Sequence, residues 1–242
     1  MLYWLLYEQL YPHFTPFRIF GYVTFRTLAA SLTALLMTVL LGPWFIRRLR
    51  SMQIGQHIRE EGPESHQKKA GTPTMGGLLI LVSIVVPTLL FTNLWNPYVW
   101  VALFGLCGNG AIGFIDDYAK VRKARNLGLT ARQKMALQVL MMLILGVWLL
   151  VLHAKGLYNT AMNVPFFKSY KPDLLIESLL HNPITYPLAF AFFFVFLLFV
   201  IVGASNAVNL TDGLDGLASG LMIIAGGAVT VLCYVSGHAQ FA

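Results

Sequence analysis

Residues 186–202 read YPLAFAFFFVFLLFVIV, and residues 203–216 continue as GASNAVNLTDGLDG. The first run carries no charge and holds six phenylalanines. Wound as an α-helix it rises about 25 Å, close to the roughly 30 Å hydrocarbon thickness of a bilayer. The second run changes chemistry at once, presenting Asn206, Asn209, Asp212 and Asp215 among glycines. A lipid-crossing helix that delivers an acidic, glycine-rich segment to one membrane face sets both the fold and the place to look for function.

Five further apolar runs extend outward from it: residues 22–46, 75–91, 98–115, 135–152 and 217–235. Of the 242 residues, 57% are hydrophobic and 11% charged, against about 25% charged in an ordinary soluble protein. Mean hydropathy is +0.68. So few charges cannot cover the surface of a soluble enzyme, and the apolar content excludes a disordered chain. Cys107 and Cys233 lie inside apolar runs, as buried thiols do, so a disulfide scaffold is excluded too. The expected fold is all-α, a polytopic transmembrane bundle with about six spans in a single membrane domain, residues 1–242.

The net charge of +7 is written as topology and not as a nucleic-acid surface. Twelve of the 17 basic residues fall in two segments: Arg47, Arg48, Arg50, Arg59, Lys68 and Lys69, then Lys120, Arg122, Lys123, Arg125, Arg132 and Lys134. The positive-inside rule puts both on the cytoplasmic side. Residues 47–74, 116–134 and 203–216 are then cytoplasmic loops, while the N-terminus and the proline-containing loop 153–185 lie outside. Residues 1–20, with Tyr3, Trp4, Tyr7, Tyr11, Phe14 and Phe17, are expected to form an interfacial helix ended by Pro12 or Pro16. A basic start and a small-residue cleavage site are missing there, so it does not read as a signal peptide.

Polar residues at membrane boundaries are costly and therefore informative. Three clusters share the inferred inner face. The first runs from Gly62-Pro63-Glu64-Ser65-His66 to Lys68-Lys69-Ala70-Gly71-Thr72-Pro73-Thr74-Met75-Gly76-Gly77. Thr72 or Thr74 can cap the next helix, and such a helix start with lysines beside it suits phosphate. The second is Asp116-Asp117, followed by Lys120. Acids at a helix C-terminus oppose its dipole. Neighbouring helical residues also point about 100° apart, so both converge on one site only if the helix is ending there. The third is the Asn206–Asp215 run, where Asn209, Asp212 and Asp215 recur every third residue, near one face of a helix or tight turn. Magnesium is commonly held by one or two carboxylates plus phosphate oxygens, so the physics points to phosphate chemistry at one membrane face. His57 and His66 stand apart from any cysteine, which argues against zinc. A transporter would place its acids at span centres and not at span ends.

At the three clusters the sequence resembles the phospho-N-acetylmuramoyl-pentapeptide-transferase (MraY) family. Lys69–Gly77 resembles one family signature and Asn206–Leu217 a second, while Gly62–His66 and Asp116-Asp117 also fit. The resemblance implies transfer of phospho-MurNAc-pentapeptide from its UDP carrier to undecaprenyl phosphate, giving lipid I and UMP, with Mg2+ as cofactor. It implies a bacterial cytoplasmic (inner) membrane, an active site facing the cytoplasm, a periplasmic N-terminus, surrounding membrane lipid and room for a homodimer. Carried over residue by residue, Asp116 and Asp117 are the catalytic candidates. One would serve as base or position the lipid phosphate, the other would support the metal or a lysine. Lys69, Thr74 and Lys120 would meet the nucleotide-sugar and its phosphates. Asn206, Asn209, Asp212 and Asp215 would line the uridine-diphosphate side, with Asp117 and Asp212 as metal neighbours. By the same analogy members have about ten spans, a third aspartate and a histidine-rich loop. No acid follows Asp215 here, and His238 is the last histidine. The resemblance thus covers the N-terminal two-thirds of such an enzyme, and these residues alone are not expected to turn over. Two alternatives remain: a relative that uses UDP-GlcNAc to make a polyprenyl-diphosphate sugar, and an inactive membrane protein that binds partners.

Overall fold

The computed structural model describes residues 1–51, 75–123, 128–162, 164, 167, 170–182, 184–211 and 216–236. The regular elements among these residues are helices, joined by turns and irregular connections, with one isolated antiparallel bridge between Ala161 and Asp173. Two short helices open the chain: π-helical Tyr3–Leu10, and 3-10 Thr15–Gly21. The long elements are α1 (Val23–Ser51), α2 (Gly77–Phe91), α3 (Pro97–Lys123), α4 (Ala131–Ala154), α5 (Tyr186–Leu197), α6 (Ala204–Thr211) and α7 (Leu217–Ser236). A π-helical turn, Leu198–Gly203, joins α5 to α6 without a break.

All six expected spans are found as helices. Four are long and apolar enough to cross a membrane: α1, α3 over Pro97–Arg122, α4, and the composite helix Tyr186–Thr211. Gly77–Phe91 and Leu217–Cys233 are shorter apolar stretches. A multi-pass membrane bundle is the architecture that results. Large apolar side chains face outward along α1 (Leu28, Leu32, Leu35, Leu36, Val39, Leu40) and α7 (Ile223, Ile224, Val231). Water would make such faces liabilities, whereas lipid suits them.

The helices run further than the apolar runs. Residues 204–211 and 116–123, expected in loops, are helical, and α1 continues to Ser51. Hydropathy marks where lipid ends, but a helix continues while its backbone bonds and i,i+4 pairs persist. At the N-terminus the first helix stops at Leu10, just before Pro12, while Pro16 sits in the first turn of the next helix and does not end one.

Two compact units divide the chain, Met1–Met141 and Met142–Ala242. In the first, α1 packs against α2, and α2 against α3. Arg26 of α1 is almost fully buried, lies 4.4 Å from the Tyr3 ring centroid and donates to the Phe91 carbonyl at 3.4 Å. That ties the N-terminal helix to the carbonyl end of α2. Asn96 accepts from Tyr98 N–H at 2.9 Å and so caps α3. Thr130 and Gln133 cap α4 reciprocally, each side chain taking the other's backbone N–H.

In the second unit Phe193 and Ala189 are wholly buried. Gly146 of α4 faces Phe194 and Leu197, and a Cβ on Gly146 would overlap the Phe194 ring. The connection after α4 has a local organiser. Asp173 accepts from the Thr160 hydroxyl at 2.6 Å and from Leu175 N–H at 2.9 Å, beneath which Leu174 and Leu175 are buried.

Candidate active site

Asp116, Asp117 and Lys120 occupy the last turns of α3. Helical spacing brings the lysine under both acids. Its Nζ lies 2.6 Å from Asp116 Oδ2 and 3.1 Å from Asp117 Oδ1. The helix does not end at the aspartates, contrary to expectation. It continues to Lys123, and the two carboxylates are gathered by a shared cation instead. Lys120 stands C-terminal to both acids, the favourable order for such pairs and for the helix dipole.

The two aspartates are not equivalent. Asp116 has a side chain 15% exposed against 35% for Asp117. Both Asp116 oxygens are engaged: Oδ2 with Lys120, and Oδ1 accepting Leu129 N–H at 2.8 Å. Asp117, with one oxygen on Lys120, lines a cavity of about 200 Å3 whose other walls are Met75, Gly77, Leu78, Leu81, Gly110, Gly113 and Phe114. The cavity is largely apolar and lies between the start of α2 and the end of α3. Met75, buried at its edge, has φ of +70°, a left-handed backbone that a side chain disfavours.

Within the second unit itself, Asn206 and Asn209 lie on α6. Asn206 donates to the Val202 carbonyl at 2.8 Å, within the turn after the π-helical segment. Asn209 stands one turn further along α6, on the same side. π-Helical turns recur at functional sites because the extra residue re-aims the side chains beyond it.

Of the nine residues singled out, the structure brings together Asp116, Asp117 and Lys120, and places Asn206 and Asn209 on one helix. Lys69, Thr74, Asp212 and Asp215 lie outside the described residues, as does the expected cap at Thr72 or Thr74. The N-cap position of α2 is Gly76, without a side-chain cap. Among the described residues no three His, Cys, Asp or Glu side chains cluster as a ready-made metal cage. A magnesium ion does not need one, since one or two carboxylates and substrate phosphates suffice, and Asp117 at the cavity meets that requirement. Sequence reading passed over Gly128 and Leu129, and took Met75 only as part of the Lys69–Gly77 run and the start of a span. The Thr130-x-x-Gln133 capping box was the one signal that the segment before α4 is tightly built.

An all-helical membrane bundle with a lysine-bridged aspartate pair at a helix end is the class of protein these features define. The chain belongs to glycosyl transferase family 4, whose model matches residues 99–242. A phospho-N-acetylmuramoyl-pentapeptide-transferase signature matches residues 69–81. The chain is similar along its whole length to proteins of that name: 60% identical over 242 residues to the one from Solibacter usitatus and 59% over 244 to the one from Koribacter versatilis. The one from Acidobacterium capsulatum is 60% identical over 242 residues. In each case the chain spans 64% of the relative's own length.

Proposed function

We propose that the full-length protein transfers phospho-MurNAc-pentapeptide from its UDP carrier to undecaprenyl phosphate. In this reaction an oxygen of the lipid phosphate bonds to the sugar-side phosphorus of the diphosphate. The bond from that phosphorus to UMP breaks, leaving lipid I and UMP. The observation that carries this reading is the Asp116–Lys120–Asp117 cluster beside a cavity, in a chain about 60% identical to transferases of that name.

Each residue then has a task. Lys120 supplies positive charge where two anionic phosphates must approach each other. Asp116, with both oxygens occupied, is the carboxylate that supports the lysine. Asp117 faces the cavity and is the carboxylate that would hold Mg2+, with Asp212 as a second ligand. Bound there, the ion would neutralise the diphosphate. Lys69 and Thr74 would meet the nucleotide-sugar, and Asn206, Asn209 and Asp215 its uridine-diphosphate side. The lipid phosphate is already largely ionised at neutral pH, so acceleration rests on positioning and charge neutralisation. The two basic segments are cytoplasmic and the N-terminus periplasmic in this reading, because 12 of 17 basic residues lie in those segments.

The test is UMP release and lipid product formation by the full-length protein in lipid nanodiscs with Mg2+. Transfer should proceed from UDP-MurNAc-pentapeptide and not from UDP-GlcNAc, and should be abolished in Asp117→Asn. Transfer from UDP-GlcNAc alone would move the protein to the other branch of the family. Undiminished transfer in Asp117→Asn would sink the assignment of the site.

A further inference from the structure

Gly128 sits where the chain returns toward α3. A Cβ built there would meet the Asp116 side chain at Oδ1, its Cγ at 2.8 Å and its backbone carbonyl oxygen at 2.6 Å. Real Cβ atoms do not approach backbone this closely, and the backbone of a helix cannot step aside. The next residue donates the Leu129 N–H that Asp116 Oδ1 accepts at 2.8 Å. The residue after that, Thr130, is the cap of α4: its side chain takes Gln133 N–H at 3.3 Å and Gln133 returns the bond to Thr130 N–H at 3.0 Å. Three consecutive residues therefore perform three linked jobs: close passage, a bond to the carboxylate, and the start of the next helix.

We propose that Gly128 is a positioning residue: only a residue without a side chain lets Leu129 N–H fix Asp116, and through it Lys120, in register with Asp117. The capping box makes the bridge stiff, because Leu129 cannot drift while its neighbour Thr130 is held on both sides. Asp116 is then clamped between a backbone N–H from one direction and an ammonium from the other. The lysine in turn is held at a fixed distance from Asp117. A one-residue gap in the side-chain sequence thus sets the geometry of a charge cluster twelve residues earlier.

The proposal rests on the transferase reading only for its kinetic arm, and the tests separate the two. In the full-length protein, Gly128→Ala should lower kcat at least about tenfold while KM for the nucleotide-sugar stays within about twofold, since misplacement by an ångström costs rate more than binding. Leu129→Ala keeps the N–H and should retain wild-type kcat. Leu129→Pro removes the N–H without adding a Cβ at 128 and should reproduce the Gly128→Ala loss. Placed on an Asp116→Ala background, Gly128→Ala should cost little more, because the two act as one unit. Wild-type kcat in Gly128→Ala, or a fully additive loss in the double variant, overturns the proposal. The structural arm needs no turnover: hydrogen exchange at the Leu129 amide should speed up in Asp116→Ala. Unchanged protection there overturns the clamp even if transfer is confirmed, and faster exchange supports it even if transfer is not.

Discussion

One ammonium serves two adjacent carboxylates: Lys120 Nζ lies 2.6 Å from Asp116 and 3.1 Å from Asp117. Removing that charge leaves two like charges side by side at a membrane boundary, with no partner on their own helix turn. Lys120→Gln should therefore reduce kcat by about 100-fold or more, the scale of losing one preorganised charge stabiliser. Lys120→Arg should recover part of the loss. UMP release by the purified full-length variants reads the effect, with elution as a monodisperse peak as the folding control. A Lys120→Gln variant at wild-type rate would remove the lysine from the mechanism.

The unequal surroundings of the aspartates give a metal prediction. Asp117 borders the cavity, while both oxygens of Asp116 are already engaged. Asp117→Glu should raise the half-saturating Mg2+ at least about tenfold, as changes around metal ligands do. Asp116→Glu should lower kcat with a much smaller change in Mg2+ requirement. A titration of activity against Mg2+ distinguishes them, and equal shifts in both variants would contradict separate roles.

Two cavity glycines differ in the space around them. A Cβ at Gly113 meets nothing within 4 Å, whereas one at Gly110 approaches Leu81 at 3.0 and 3.2 Å. Gly113→Leu should intrude into the roughly 200 Å3 cavity and lower transfer with little effect on thermal unfolding. Gly110→Ala should instead show as a modest loss of stability, about 1 kcal/mol for an overpacked contact. Activity and melting measured on both variants should move in opposite order. Full transfer in a folded Gly113→Leu variant would mean the cavity takes no part in turnover.

Met75 pairs a buried side chain with a left-handed backbone. Met75→Ala loses the packing and keeps the backbone cost, while Met75→Gly loses the packing and sheds that cost. The glycine variant should therefore be the more stable of the two by about 1 kcal/mol. Thermal unfolding in one detergent decides the order, and a less stable glycine variant would show that Met75 does not hold this conformation.

Much of this was legible in the sequence, for a physical reason. Lipid demands long apolar runs, and such runs are visible residue by residue, so all six helices were located. Their extents were not visible, because the ends of α3 and α6 are polar yet still helical. The convergence of Asp116 and Asp117 was expected from a helix ending, and it comes instead from Lys120 three and four residues on. Asp173 and Gly128 escaped notice because each acts through a partner 12 or 13 residues away in the chain. No period or composition encodes a single close approach of that kind. The opposite case is Lys69, Thr74, Asp212 and Asp215, which the motifs single out and which lie outside the described residues.

The π-helical turn at Leu198–Gly203 has the effect of a vernier. One surplus residue in a helix rotates everything beyond it by about 100° while lengthening it hardly at all. The phenylalanine-rich stretch before the turn and the asparagine-bearing stretch after it can thus be aimed independently of each other. Deleting a single residue between 198 and 203 would bring both stretches back into one phase. Asn206 and Asn209 would swing a quarter turn or more from their present bearing, with their depth in the membrane almost unaltered.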